Sequence, residues 1–279
     1  MTQPPLVLLT DFGTRDAYVG IVKGVLARLA PDSRPIDLTH AIPPGDVRAG
    51  AFALWQAIAY LPSGSVVLAV VDPGVGTSRR PIALRLPNGF GVGPDNGLFS
   101  WILDPAVPVE AVELDSARLS PGALSATFHG RDLFAPAAAR LAVTQTLADL
   151  GRPLAEIVRL PPPRLEAIPT GLRGEVLWID GFGNAVTSLG RLRAAGESLE
   201  FSAAWQGLPP RTLRLSAVRV ELPSGATLPL ARTFGDVPAG EPLAYVGSDG
   251  LVEVGVHAGR ADQRFNLSPG QTVTLRLEG

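Results

Sequence analysis

The sequence runs to 279 residues, 46% hydrophobic and 18% charged, with a formal net charge of -2, no cysteine, 31 glycines and 27 prolines. It is long enough for one large domain or two modest ones, each with its own core. The near-neutral balance lacks the clustered Lys and Arg that nucleic-acid binding needs, and without cysteine there is neither a disulfide nor a thiolate zinc site.

From the N-terminus, Met1 to Pro5 carries no basic region followed by an apolar core, so no signal peptide is expected. Residues 6–10 form an apolar run of strand length, with Asp11 at its C-terminal end. Ile21, Val22, Val25, Leu26 and Leu29 then recur at helical spacing, with Pro31 beyond the end. Residues 35–39 read as a second strand. Val47, Ala51, Leu54, Trp55 and Ile58 mark a second helix, capped by Asp46. Residues 65–71 are a nearly continuous apolar, β-branched run, which suits a strand buried on both faces of a helix-covered parallel sheet. Its apolar part is the longest in the chain and far too short to span a bilayer, so a cytoplasmic location without membrane contact is expected. Asp72 follows it. Strands are predicted over 82–86, 89–92 and 109–114, and a helix over 132–147 with Pro136 near its first turn.

Residues 152–170 contain Pro161-Pro162-Pro163 and little periodicity. A linker is placed at 156–170, between an N-terminal domain of residues 1–155 and a C-terminal domain of residues 171–279. After it, residues 175–179, 185–189, 213–220, 243–246, 251–256 and 272–277 read as short strands between Gly/Pro turns. The expected fold class is α/β: a Rossmann-like α/β sheet domain followed by an all-β, barrel-like domain.

Three polar clusters interrupt the first half. Thr10-Asp11-Phe12-Gly13-Thr14 contains the magnesium-binding triplet of protein kinases, but at a first strand with no catalytic loop before it. A carboxylate at a strand end suits a ribose diol, since its two oxygens can accept both hydroxyl protons; the plainer reading is a turn into the helix. Asp72-Pro73-Gly74-Val75-Gly76-Thr77-Ser78-Arg79-Arg80 is glycine-rich without the Gly-Lys-Ser/Thr of a phosphate loop. Phe128-His129-Gly130-Arg131-Asp132 holds one of three histidines. His40 reads as structural, whereas His129, followed by glycine and a helix start, is open to a cavity and suited to handling protons. In the second half, Asp180-Gly181-Phe182-Gly183-Asn184 is an ordinary glycine turn by spacing, or an aromatic face and an amide for a nucleobase. A Ser-His-Asp elbow and His-based metal pairs are missing.

With Pro94-Asp95-Asn96-Gly97-Leu98 and Gly247-Ser248, these clusters stand in the order that resembles the S-adenosyl-L-methionine hydroxide adenosyltransferases, relatives of fluorinase and chlorinase, over nearly the whole chain. The resemblance implies a homotrimer whose active sites lie between the N-terminal domain of one subunit and the C-terminal domain of the next. It implies Asp72, Arg79 and His129 as the water-handling residues and Asp11 as the ribose-binding carboxylate. It also implies adenine contacts at Phe182, Asn184 and the Ala258 backbone, and methionine contacts at Asp180 and Ser248. S-adenosyl-L-methionine is then the substrate, adenosine and L-methionine the products, and no cofactor or metal is called for. The halogenases have Tyr where Asp72 stands, and a carboxylate repels a halide while attracting the protons of water. The fluorinase also has an extra loop between the positions of Leu86 and Gly93, a serine where Gly130 stands, and Arg where Asp249 stands. Competing expectations are a halogenase, a non-catalytic binder of adenosine or the sulfonium, and a metal-dependent hydrolase using Asp11, Asp72 and Asp132.

Overall fold

The computed structural model describes residues 3–120, 124–205 and 207–277. The chain forms two compact units, Met1–Pro161 and Pro162–Gly279.

The first unit contains β1 (Leu6–Thr10), α1 (Tyr18–Leu29), β2 (Pro35–Thr39), α2 (Val47–Ala57), β3 (Ser65–Val70), β4 (Pro81–Leu86), β5 (Gly89–Pro94), β6 (Ala111–Leu114), α3 (Ser116–Leu119), α4 (Ala135–Thr144) and β7 (Gly151–Leu154). They build one seven-stranded sheet in the order β2-β1-β3-β5-β4-β6-β7. The β2, β1, β3 and β5 pairings are parallel, and those of β4, β6 and β7 antiparallel. Every residue of β1 and β3 is buried, because helices cover both faces. Leu6, Leu8, Val66, Leu68 and Val70 join Val22 and Leu26 of α1 and Ala138 and Leu141 of α4 in one core. The alternate residues Leu9 and Val71 face α2 at Gly50, where a Cβ would lie 3.2 Å from Val71 and 2.7 Å from Leu98. A mid-helix glycine is unfavourable by itself; here it lets the helix backbone approach the sheet. Asp46 caps α2, its carboxylate accepting the Ala49 N–H at 2.9 Å.

The helix expected over 132–147 begins earlier and ends earlier. Gly130–Phe134 forms a single π-helical turn, α4 follows, and Gln145 at φ 53° closes it in the left-handed conformation.

The second unit contains β8 (Leu165–Ile168), β9 (Gly171–Ile179), β10 (Ala185–Ala195), β11 (Ser198–Ser202), β12 (Arg211–Arg214), β13 (Val218–Glu221), β14 (Thr227–Pro229), β15 (Pro242–Val246), β16 (Leu251–Val256), α5 (Ala261–Phe265) and β17 (Thr272–Leu277). Its strands follow the path β12-β11-β10-β9-β17-β13-β14, with β16 pairing β10 and β15, and β8 pairing β9. Val176, Leu189, Phe201, Val220, Val254 and Leu275 belong to its core. The strand expected over 213–220 is two strands. A 3₁₀ turn at Leu215–Ala217 parts β12, which pairs β11, from β13, which pairs β14 and β17. Among the described residues no helix is long and apolar enough to cross a membrane.

Candidate active site

β1 and β3 are parallel neighbours in register, from Leu6 opposite Val66 to Thr10 opposite Val70. The residues that follow them leave the sheet side by side, so Asp11 and Asp72 emerge at its C-terminal edge, where open α/β sheets bind ligands. The Asp11 Oδ2 accepts the Gly45 N–H at 2.9 Å. The Asn96 amide donates to the Val71 carbonyl at 2.8 Å, and Asp95 pairs with Arg80 and accepts the Val158 N–H at 2.8 Å. The 94–98 cluster thus anchors the chain just before Asp72.

Asp72 and Arg79 share one loop, folded by successive turns. The Val75 N–H donates to the Asp72 carbonyl at 3.2 Å, and the Thr77 N–H and hydroxyl both donate to the Gly74 carbonyl, at 3.1 and 2.7 Å. Gly76 takes φ +78°, and a Cβ there would sit 2.8 Å from the Ala126 carbonyl oxygen. The position therefore demands glycine. These turns bring the Arg79 guanidinium back onto Asp72: Nε lies 2.9 Å from Oδ1 and 3.0 Å from Oδ2, and Nη2 donates to Oδ2. The two side chains are only 6% and 10% exposed.

His129 precedes the π-helical turn, and its Nδ1 lies 2.9 Å from Arg79 Nη2. The Phe134 ring supports both, 5.2 Å from the guanidinium carbon and edge-on to the imidazole at 6.4 Å. Burial first, then the charge of Arg79, lowers the His129 pKa against the weaker opposing pull of Asp72 and Asp132. An unfolded chain binds that proton more readily. The stabilising contribution is therefore complete above about pH 6.5, the unfolded value, and is lost as pH falls toward the lower folded value. Melting temperatures measured from about pH 8 down to about pH 5 should fall more for the native protein than for His129→Gln; parallel curves would refute this.

Asp11, Asp72 and His129 line a single cavity of about 370 Å³, together with Phe12, Tyr18 and Phe128. Tyr18 and Phe128 meet edge to face at 5.2 Å, and Phe12 and Phe128 at 6.0 Å. Residues from three separate sequence clusters thus converge on one space, with Arg79 bonded to two of them. Asp132 is engaged elsewhere: Arg131 holds its carboxylate in a two-point pair and lowers its pKa, and it accepts the Ser125 N–H at 2.9 Å. Among the described residues no group of three or more His, Cys, Asp and Glu is placed to hold a metal ion. His40 is buried, with Nδ1 2.8 Å from the Thr10 hydroxyl and Nε2 3.1 Å from Asp37, and it packs as a structural residue.

In the second unit, Asp180, Phe182 and Asn184 lie on the turn between β9 and β10. Asp180 accepts the N–H groups of Phe182 and Asn184 at 2.9 and 2.8 Å, and the Asn184 side-chain amide at 2.9 Å. Its carboxylate shapes the turn that presents the other two. Phe182, at the tip, is 79% exposed. Asn184 is buried, with Oδ1 so close to Gly255 that a Cβ there would come within 2.9 Å. Ala258 follows β16 at φ +54°, uncommon for a residue with a Cβ. Just beyond it, Arg260 donates to the Gly181 carbonyl at 3.1 Å and the Asp262 N–H to the Gly183 carbonyl at 3.0 Å, tying the two turns together. Ser248 is exposed on the turn between β15 and β16.

Tyr245 and Glu253 escaped the sequence reading. The Tyr245 hydroxyl donates to Glu253 at 2.6 Å. Burial, then the charges of Asp180 and Asp249, raise the Glu253 pKa against the opposing effect of that bond. Burial, then the bond to Glu253, raises that of Tyr245. A Cβ on Gly247 would lie 1.8 Å from a Glu253 carboxylate oxygen, so the chain passes directly over this acid. Its one signal in sequence is an acid inside the otherwise apolar run 251–256.

Family models for the SAM hydroxide adenosyltransferase N-terminal and C-terminal domains match residues 6–151 and 174–274. The chain is 45% identical to an (R)-S-adenosyl-L-methionine hydrolase of Thermus thermophilus, over 97% of this chain and 99% of that one. It is 29% identical to a fluorinase of Actinopolyspora mzabensis, over 98% and 97%. A solved structure of an uncharacterized conserved protein from Thermotoga maritima superposes with a TM-score of 0.82 at 30% identity, covering 97% of this chain and 99% of that one.

Proposed function

The chain belongs to the SAM hydroxide adenosyltransferase family, and from that membership we propose that it cleaves S-adenosyl-L-methionine with water, releasing adenosine and L-methionine. The observation that carries this reading is the convergence of Asp72 and His129 on one cavity, with Arg79 bonded to both.

Water attacks the 5′ carbon in line with the sulfur. The sulfonium departs as a neutral thioether and needs no acid, so the difficulty lies with the nucleophile. Making free hydroxide at pH 7 from water of pKa about 15.7 costs about 12 kcal/mol, at about 1.36 kcal/mol per pKa unit. Removing the proton during attack is typically worth ~10²–10⁴-fold, and orientation of the reactants can supply roughly 7–11 kcal/mol. In this reading Asp72 and His129 contact the water, and Arg79 orients both. Asp11 takes the ribose diol. Phe182, Asn184 and the Ala258 backbone take adenine, and Asp180 and Ser248 the methionine end. S-adenosyl-L-methionine is the substrate, so the reading invokes no cofactor, no metal, no nucleic acid and no membrane, and it places the protein in the cytoplasm. Homotrimeric assembly belongs to the same proposal, supported by the bare Phe182 ring. So does a barrel-like form of the β unit, supported by the bridge between Leu230 and Ala244.

The test is product analysis in ¹⁸O-water. Adenosine with the label in its 5′ hydroxyl is expected. Unlabelled adenosine, a 5′-halogenated nucleoside in halide buffer, or tight binding without turnover would overturn the reading in favour of another mechanism, a halogenase or a binding module.

A further inference from the structure

We infer that Arg79 locks His129 in its Nε2–H tautomer, so that His129 hydrogen-bonds to the attacking water as a donor and Asp72 alone receives the proton. The inference rests on the hydrolytic reading for its chemistry, but its structural half stands by itself.

A guanidinium has five N–H donors, no acceptor, and keeps its charge in proteins. Arg79 Nη2 lies 2.9 Å from His129 Nδ1. That contact is a hydrogen bond only if Nδ1 presents its lone pair. A neutral imidazole then carries its single proton on Nε2. The doubly protonated ring would set one N–H against another, and burial and the charge of Arg79 both disfavour that form. Among the described residues Nε2 has no hydrogen-bond partner, and His129 is half-buried and lines the cavity beside Asp72. With Nδ1 occupied and Nε2 already protonated, neither ring nitrogen is available as a base.

Asp72 has the vacancy that His129 lacks. Its Oδ2 accepts from both Nε and Nη2 of Arg79, whereas Oδ1 accepts only from Nε, at 2.9 Å. A carboxylate oxygen has two lone-pair sites, so Oδ1 keeps one for the water. The water accepts from His129 Nε2–H, donates one proton toward Asp72 Oδ1, and directs its second lone pair at the 5′ carbon. As the new C–O bond forms, the C–S bond breaks and its electron pair goes to sulfur, giving methionine. The water proton passes to Asp72 Oδ1 and later to solvent, and adenosine keeps the oxygen and the other proton. His129 ends the cycle with the proton it began with. It is an orienting group in contact with the reacting water, and Arg79 is the positioning residue behind it.

Two measurements on the full-length protein test this. In ¹⁵N-histidine-labelled protein at neutral pH, long-range ¹H–¹⁵N correlation reads each ring tautomer, and the His129→Gln spectrum identifies which signals belong to His129. An unprotonated Nδ1 and a protonated Nε2 are expected; the reverse pattern, or a doubly protonated ring, overturns the inference. Turnover supplies the second readout. His129→Gln keeps a donor near the Nε2 position but cannot take up a proton, and it should retain turnover within about tenfold of native. His129→Ala should lose on the order of 10²–10³-fold, the usual cost of deleting one preorganised donor. Equal losses in the two variants, with native melting temperatures, would make His129 the base. Failure of the native protein to release adenosine would sink the hydrolytic reading and leave the tautomer measurement intact.

Discussion

Replacing Asp72 by Ala should lower adenosine release by on the order of 10²–10⁴-fold, the usual worth of a positioned proton acceptor, while substrate binding by calorimetry changes little. The carboxylate is presented to the cavity by the end of a fully buried strand and held by two guanidinium nitrogens, so it acts on the water more than on the bound nucleoside. The same change strands Arg79, itself only 10% exposed, without its counter-ion. Breaking a buried pair from one side typically costs about 3–5 kcal/mol, which denaturant titration should register as a lower midpoint at unchanged slope. Asp72→Asn separates the two effects: the isosteric amide packs in the same place but is a far poorer proton acceptor. Near-native turnover in Asp72→Asn would remove Asp72 from the chemistry.

Phe134→Ala should produce the second large effect. The side chain is fully buried in the core of the first unit, and truncating a buried phenylalanine costs about 3–5 kcal/mol through lost burial and the cavity left behind. The ring also underlies the Arg79 guanidinium and the edge of His129. Turnover should therefore fall even where the protein remains folded, and Phe134→Leu, which keeps most of the volume but no aromatic face, should recover stability better than activity. Parallel recovery of both would mean that the ring serves packing alone.

How much of this could be read beforehand depended on how strongly each element imprints its pattern. β1 and β3 are buried at every position and appear as unbroken apolar runs, so the strands that deliver Asp11 and Asp72 were legible, as was the Asp46 cap. β7 was not: it contains Pro153, lies at the sheet edge and is half exposed, so neither composition nor alternation betrays it. β8 and β14, of four and three residues, are too short to show a period. The run 213–220 alternates well enough to pass for one strand, and only the 3₁₀ turn at Leu215–Ala217 divides it. In the site, Asp72, Arg79 and His129 were picked out as motif members, but nothing in a one-dimensional pattern shows that Arg79 touches both of the others. Phe134 falls inside the span expected as a helix, and nothing in the sequence sets it apart from its apolar neighbours. The Tyr245–Glu253 pair was hidden because its members lie eight positions apart and meet only through the antiparallel register of β15 with β16.

Arg79 offers one flat cation to three neighbours at once: an acid along its edge, an imidazole lone pair at one corner and an aromatic face below. Lysine could meet any one of these needs, and glutamine could supply a donor without the charge, but neither spans all three. Drift at this codon therefore has no gentle intermediate step. A variant that abandons arginine must replace all three contacts at once to keep the acid and the imidazole where they stand.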